Sequence, residues 1–250
     1  MIIARELAQN LAMGFRPIRR LAQKRHNTGV QNNPAAAAAL FHQLSSAVGR
    51  DLTDARVLEL GPGQGSGLAR VAAPRVQSYA AFDVEPYLDP AQVAALGVDY
   101  RVDPSGNLPW NDAAFDVVWS HSVLEHVRDP RATVAEAYRV LRPGGIQVAH
   151  IDLQDHYGDR SDPSEMYGFL RYSSRLWLMM TSNRSSYCNR LRASEWAELA
   201  TDLGFQVIGA TAVPPICTLD ALREVDYLTS VTDEDLMAAS LHLVLLRPSP

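Results

Sequence analysis

Only two cysteines, Cys188 and Cys217, occur in 250 residues, and they form neither a CxxC pair nor a Cys/His metal spacing. That excludes a disulfide framework and fits a reducing compartment, so a cytoplasmic protein is expected. No run approaches the roughly 18 uninterrupted apolar residues of a membrane span. The opening stretch MIIARELAQNLAMGF places Arg5, Glu6, Gln9 and Asn10 inside any would-be leader, so no cleaved secretory signal is expected. Cationic charge is also in short supply: 23 Lys and Arg face 28 Asp and Glu, for a net charge of −5. Whole-chain attraction to nucleic acid or to an anionic membrane is thereby set aside, although a local basic patch is not. Repeats and low-complexity tracts are missing too; the Ala35–Ala39 run is simply helix-forming.

What is present divides along the chain. Residues 1–26 read as a basic helical arm in which Arg16, Arg19, Arg20, Lys24 and Arg25 alternate with Leu7, Leu11, Phe15, Ile18 and Leu21. Such an arm is a solvated amphipathic helix, a lid, or a handle for an acidic acceptor. A second helix fits Pro34–Val48, with proline in its first turn and Gly49 at its end. From Arg56 onward, short β-branched runs alternate with helical stretches. The runs are RVLEL (56–60), YAAFDV (79–84), VDYRV (98–102), FDVVWS (115–120) and GIQVAHI (145–151). Helices fit 66–73, 89–96, 122–127, 130–141 and 193–203, and FQVIGA (205–210) and LHLVLL (241–246) complete seven strands. The pattern predicts an α/β, Rossmann-like, doubly wound sheet with its last strand antiparallel. We therefore expect a helical arm or lid over 1–50 and one domain over 51–250. Residues 153–192 interrupt the alternation with Tyr157, Tyr167, Phe169, Tyr172, Trp177 and Tyr187, flanked by Asp155, His156, Arg160, Asn189 and Arg192. A stretch of that length with its own apolar content predicts a folded insertion, placed over the carboxyl edge where α/β sheets bind ligands.

The first chemical signal is VLELGPGQGSG (57–67), a strand running into a glycine turn and a helix. A dinucleotide fingerprint needs GxGxxG, but Ser66 or Leu68 occupies its last position, and no Lys-Ser/Thr follows for a triphosphate. Gly61 and Gly63 let backbone approach a ligand closely. Glu59, two residues before the turn, is poorly placed for a pyrophosphate and suits the cationic methionine end of a sulfonium cofactor. Asp83, 22 residues past Gly61, closes the second strand with Val84; a carboxylate there accepts hydrogen bonds from both ribose hydroxyls.

The third signal joins Asp103 to NLPWNDAAFDVVWSHSVLEHV (107–127) and to LRPGG (141–145). With these residues the chain resembles the class I S-adenosylmethionine-dependent methyltransferases, in the branch that includes ubiquinone-pathway and sugar O-methyltransferases. The resemblance runs from about Arg56 to Ile151. It implies that S-adenosylmethionine is the cofactor, that Asp103 accepts from the adenine amino group, and that the main chain around Ser120 faces the methionine moiety. It also implies that Asp116 is structural and that LRPGG is the turn feeding the fifth strand. A nucleic-acid acceptor is disfavoured by the charge balance and by SHSV standing where an Asn/Asp-Pro-Pro-Tyr motif would be.

The segments after strands four and five hold His121, Glu125, His126, His150, Asp152, Asp155 and His156, including four of the seven histidines. A hydroxyl acceptor needs a base, and His126, oriented by Glu125 or Asp152, is the expected one, with His121 and His150 in reserve. The resemblance places Glu125 and His126 where several sugar O-methyltransferases carry paired histidines, and Asp152 where they carry an acid. The departure at Glu125 leaves a His–carboxylate base and a metal site both open. Magnesium would take Glu125, Asp152 and Asp155, since it prefers oxygen ligands. The aromatic insertion above this polar group suggests a carbohydrate or glycosylated acceptor, small molecule or oligosaccharide, ahead of a phenol, quinone or polyketide. A non-catalytic regulatory module is the reading from another class, and a homodimer is an expectation about assembly.

Overall fold

A computed structural model describes residues 2–15, 17–18, 33–159, 162–184, 187–228 and 230–250. The chain opens with α1 (Ile2–Met13) and α2 (Pro34–Val48), then enters β1 (Arg56–Leu60), α3 (Gly67–Ala72), β2 (Ser78–Asp83), α4 (Pro90–Leu96) and β3 (Asp99–Val102). It continues through β4 (Phe115–His121), α5 (Pro130–Val140), β5 (Leu141–Asp152), α6 (Pro163–Met166), α7 (Ser174–Thr181) and α8 (Ala193–Asp202). The last elements are β6 (Gln206–Val213), α9 (Leu219–Arg223), α10 (Asp233–Leu236) and β7 (Ser240–Leu246).

The seven strands form one sheet in the order β3-β2-β1-β4-β5-β7-β6. Every pair through β4–β5 is parallel, while β7 runs antiparallel to both β5 and β6. Central strands are buried along nearly their whole length, as in β2 and β4, because helices cover both faces. Leu40, Leu44 and Val48 of α2 join Val57, Val117 and Val148 in the core of one face. On the other, Val134 and Ala137 of α5 and Trp196 of α8 pack over Leu58, Val118 and Leu243. Strand order reverses between β1 and β4, so a crevice opens at their carboxyl ends.

Local chemistry sets most boundaries. Asn33 accepts from the Ala35 and Ala36 N–H groups to start α2, and Gly49 ends it at φ +68°. Asp129 starts α5 by accepting from the Ala132 N–H at 2.9 Å. Two expectations need correction. The helix expected over 122–127 is a single 3-10 turn, Leu124–His126. Ser122 takes φ +53° and donates its N–H to the His150 carbonyl at 2.9 Å, which pins the chain to β5 before a helix can begin. LRPGG is not a turn ahead of β5 but its irregular first part. Leu141 pairs with Phe115, the register then shifts, and Gly144 at φ +74° donates its N–H to the Arg247 carbonyl.

The insertion over 153–192 has its own core of Met166, Tyr167, Phe169, Trp177 and Met180. Two further segments complete that core: Leu222 and Leu236, from residues 214–239 between β6 and β7, and Leu7 of α1. The β6–β7 connection leaves the sheet at the same edge as the β5–β6 connection, so a satellite lobe stands over the carboxyl edge. Within 1–50, the two helices therefore dock differently, α2 on the sheet and α1 on the lobe. Most of the cationic residues expected on the arm (Arg16, Arg19, Arg20, Lys24, Arg25), together with Arg160, lie outside the described residues.

Candidate functional site

The strand ends bring the expected cofactor residues together. Glu59 is buried on β1 and accepts from the Tyr79 hydroxyl at 2.7 Å. Its strand register puts it on the same sheet face as Asp83 of β2, also buried, which accepts from the Tyr100 hydroxyl at 3.3 Å. Burial, then the nearby Glu59 charge, raises the Asp83 carboxyl well above the usual carboxylate range. Two acids this close in a dry site call for cationic or hydrogen-bond-donating company. Asp103 adjoins them, its N–H donating to the Asp83 carbonyl at 3.1 Å. The Asp103 carboxylate accepts from the Ser105 N–H and hydroxyl, which hold its pKa below the ordinary value. Val84, just past Asp83, is half-exposed.

The glycine turn closes tightly over this edge. Gly61 stands at φ +67° and donates its N–H to the Phe82 carbonyl at 2.8 Å. A β-carbon there would lie 2.4 Å from Val123 Cγ2, so no larger residue fits without a shift. Gly63 at φ +60° and Ser66 at φ +44° carry the chain round into α3. The Ser66 hydroxyl, and that of Ser120 at the end of β4, are buried with no hydrogen-bond partner among the described residues. A separate cleft of about 370 Å³ between Pro34, Gln64, Arg70 and Gln92 borders the outside of the turn, but none of the three acids lines it.

Next to the acids lies a histidine row. His121 of β4 pairs with His150 of β5, which pairs with His242 of β7. The first two rings stack at 4.5 Å between centroids, and the second two meet at a tilt of 51° with centroids 4.7 Å apart. The row faces α2, whose Gln43 Nε2 lies 3.0 Å from His242 Nδ1. Burial lowers the pKa of His121. Burial, reinforced by the charges of His121 and His242, brings His150 down to about 4. The row is therefore neutral near neutral pH, and nearby Asp152 pulls the other way on His121 and His150.

A second group forms where the turn after β4 meets the lobe. His126 Nδ1 lies 2.7 Å from the Tyr187 carbonyl, so that nitrogen is the donor of the pair. Its ring meets that of His156 edge-on at 4.9 Å, and His156 Nε2 lies 3.3 Å from Asp152 Oδ2. One ligand atom each from His126, His156 and the buried Cys188 lie within 4.8 Å of one another. Burial, followed by the charges of Asp155, Glu125 and Asp152, pushes the Cys188 thiol well up.

The pattern of strand order, glycine turn and paired acids has a counterpart among known proteins. The family described as Methyltransferase domain matches residues 58–149. Residues 58–149 are thus similar to a class I methyltransferase domain. Over 104 residues the chain is 36% identical to the ubiquinone biosynthesis O-methyltransferase of Parvibaculum lavamentivorans, covering 39% of this chain and 40% of that one. The namesake from Cereibacter sphaeroides is 32% identical over 132 residues, or 47% and 52% of the two chains. The chain thus spans about half the length of these curated relatives or less. Among solved structures, the geranyl diphosphate C-methyltransferase of Streptomyces coelicolor superposes with a TM-score of 0.56 at 18% identity, covering 86% of this chain and 79% of that one. At that identity the likeness is one of fold.

The methyltransferase domain's residues fit S-adenosylmethionine. The buried acids Glu59 and Asp83 suit a cationic amino-acid end and a ribose diol, and two serine hydroxyls without a partner among the described residues lie at the start of α3 (Ser66) and the end of β4 (Ser120). Asp116 stands elsewhere, at the amino edge, where it accepts from the Arg56 N–H and pairs with Arg56 and Arg142. Of the carboxylates named for magnesium, Asp152 accepts from the Gln154 N–H and Asp155 from the Tyr157 N–H, while Glu125 is buried. Among the described residues these three do not converge as a ligand set; the set that does is His126, His156 and Cys188. Sequence spacing could not reveal Cys188 as a neighbour of two histidines from other loops. His242 was equally silent, since nothing local marks it as facing His150.

Proposed function

We propose that the chain is an S-adenosylmethionine-dependent O-methyltransferase acting on a small hydroxylated molecule. The observation that carries this reading is the shared sheet face at the carboxyl edge, where two buried acids, Glu59 and Asp83, adjoin a neutral histidine pair, His121 and His150. Bound there, S-adenosylmethionine supplies an electrophilic methyl group on sulfur. Glu59 and Asp83 hold its two polar ends, and the backbone around Gly61, Gly63 and Ser120 fixes its direction. Alignment of this kind supplies up to about 7–11 kcal/mol of the barrier in favourable cases.

The chemistry the cofactor would supply is in-line transfer of that methyl group to an acceptor oxygen as the carbon–sulfur bond breaks, and the hydroxyl proton would pass to a base. His121 is that base in our reading. It ends β4 next to Ser120, burial keeps it neutral, and the charge of Asp152 favours the imidazolium that forms. His126, the first choice from sequence, meets the Tyr187 carbonyl at Nδ1 and turns toward His156 and Cys188 instead. Arranged around one acceptor oxygen, His121 and Asp152 make a base assisted by a carboxylate.

The finer acceptor class is read from what the lobe exposes. The aromatic rings that suggested a sugar platform are largely spent elsewhere: Tyr167, Phe169 and Trp177 are buried in the lobe core. That removes one support for a carbohydrate, and the relatives' names favour a phenolic or quinone-related acceptor. The test is a panel of sugars, glycosides and phenols assayed for methyl transfer, with calorimetry against S-adenosylhomocysteine and NAD. We expect S-adenosylhomocysteine to bind and a hydroxyl acceptor to react. His121→Ala should lower turnover by about 10²–10⁴-fold while leaving cofactor affinity intact. Binding of NAD alone, or reaction of amines only, would overturn the reading.

A further inference from the structure

The group at His126, His156 and Cys188 is separate from the row that carries the proposed chemistry, and its composition is unlike that of a packing contact. One ligand atom from each lies within 4.8 Å of the other two, near enough that small side-chain movements would bring all three to a single ion. The three come from different parts of the chain: the 3-10 turn after β4, the loop after β5, and the far end of the insertion. Their surroundings are those of a ligand set. His126 Nδ1 donates to the Tyr187 carbonyl at 2.7 Å, which fixes the orientation of the ring. Asp152 Oδ2 lies 3.3 Å from His156 Nε2, the carboxylate–histidine arrangement that supports a metal-bound imidazole. Asp152, Asp155 and Glu125 place negative charge around Cys188, and the His156 backbone N–H points at its sulfur. The sulfur and nitrogen donors select against magnesium, which wants oxygen, and for a zinc-class ion.

We propose that His126, His156 and Cys188 bind one zinc-class divalent ion, which ties the satellite lobe to the strand ends of the methyltransferase domain. Three protein ligands would leave a zinc-class ion one further position for water or another ligand. His121 and His150 contribute no ligand to it; Asp152 is shared, lying beside His156 and acting on His121.

Cobalt(II) added to metal-free protein is the probe. A thiolate-to-cobalt charge-transfer band should appear and saturate at one equivalent, with zinc displacing it. Because the chain has only two cysteines, Cys217→Ser should keep the band, which assigns the sulfur to Cys188 without touching it. Cys188→Ser should abolish it, and His156→Ala should weaken zinc binding by more than the roughly 10–100-fold that follows loss of an outer partner. Zinc should also raise the melting temperature relative to chelated protein. No charge-transfer band in the wild type, loss of the band in Cys217→Ser, or undiminished zinc affinity in His156→Ala would each overturn the site. S-adenosylhomocysteine titrated into the chelated protein separates this outcome from failure of the methyltransferase reading.

Discussion

Gly61 answers two demands at once: a left-handed backbone and the absence of a side chain against Val123. Its φ of +67° disfavours any L-residue, and an added methyl would meet Val123 Cγ2 at 2.4 Å. Gly61→Ala should therefore destabilise the fold by about 2–4 kcal/mol in denaturant unfolding. Adding Val123→Ala should recover the steric part and leave about 1–2 kcal/mol of backbone strain. Asp83→Ala should weaken S-adenosylhomocysteine by about 1.5–3 kcal/mol in calorimetry, through loss of charge-assisted bonds. The histidine row adds a pH dependence. His150 falls from 6.5 to about 4 in the folded chain, so the unfolded chain takes up the proton first. Stability should be unaffected above pH 6.5 and decline as pH falls from there to about 4, by about 2–3 kcal/mol. His150→Gln should flatten that limb in urea titrations across the window.

At the scale of elements, Arg192 joins the insertion to the segment between β6 and β7. It is 4% exposed, donates to the carbonyls of Leu153, Asp235 and Ala238, and lies 4.3 Å from the Tyr167 ring centre. Arg192→Ala would leave several buried carbonyls unpaired and should destabilise the protein by about 3–5 kcal/mol. Arg192→Lys should recover only part of this, since an ammonium lacks the planar fork. The same elements show where sequence reading succeeds. β1 and β4 were legible because burial on both faces makes each a short, mainly apolar run between turn residues. The helix over 34–48 was legible from its proline and glycine ends. Residues 214–239 were not, because α9 and α10 have only five and four residues, too short to develop a periodic face. Glu59 and Asp83 could be read from their offsets to a local turn. Cys188 could not, since its neighbours His126 and His156 reach it only through the folded lobe.

For the molecule as a whole, α1 belongs to the lobe and not to the sheet. Asn10 donates to the Met179 carbonyl at 2.8 Å and accepts from the Asn183 N–H at 2.7 Å, while Glu6 pairs with Arg184. Of these polar residues, Glu6 and Asn10 are buried where α1 meets α7. Asn10→Ala should raise amide exchange in residues 2–13 and 174–184, with the protection of β1, β4 and β5 unchanged. Uniform loss of protection would show that lobe and sheet open as one unit.

Both segments that build the lobe leave the sheet and return to it, one between β5 and β6 and the other between β6 and β7. A single peptide-bond cut inside 153–192 would not release the lobe, because each half of the nicked insertion stays tethered to a strand and 214–239 holds the core from the other side. Limited proteolysis should therefore give two bands under denaturing conditions and one particle of undiminished mass in native solution.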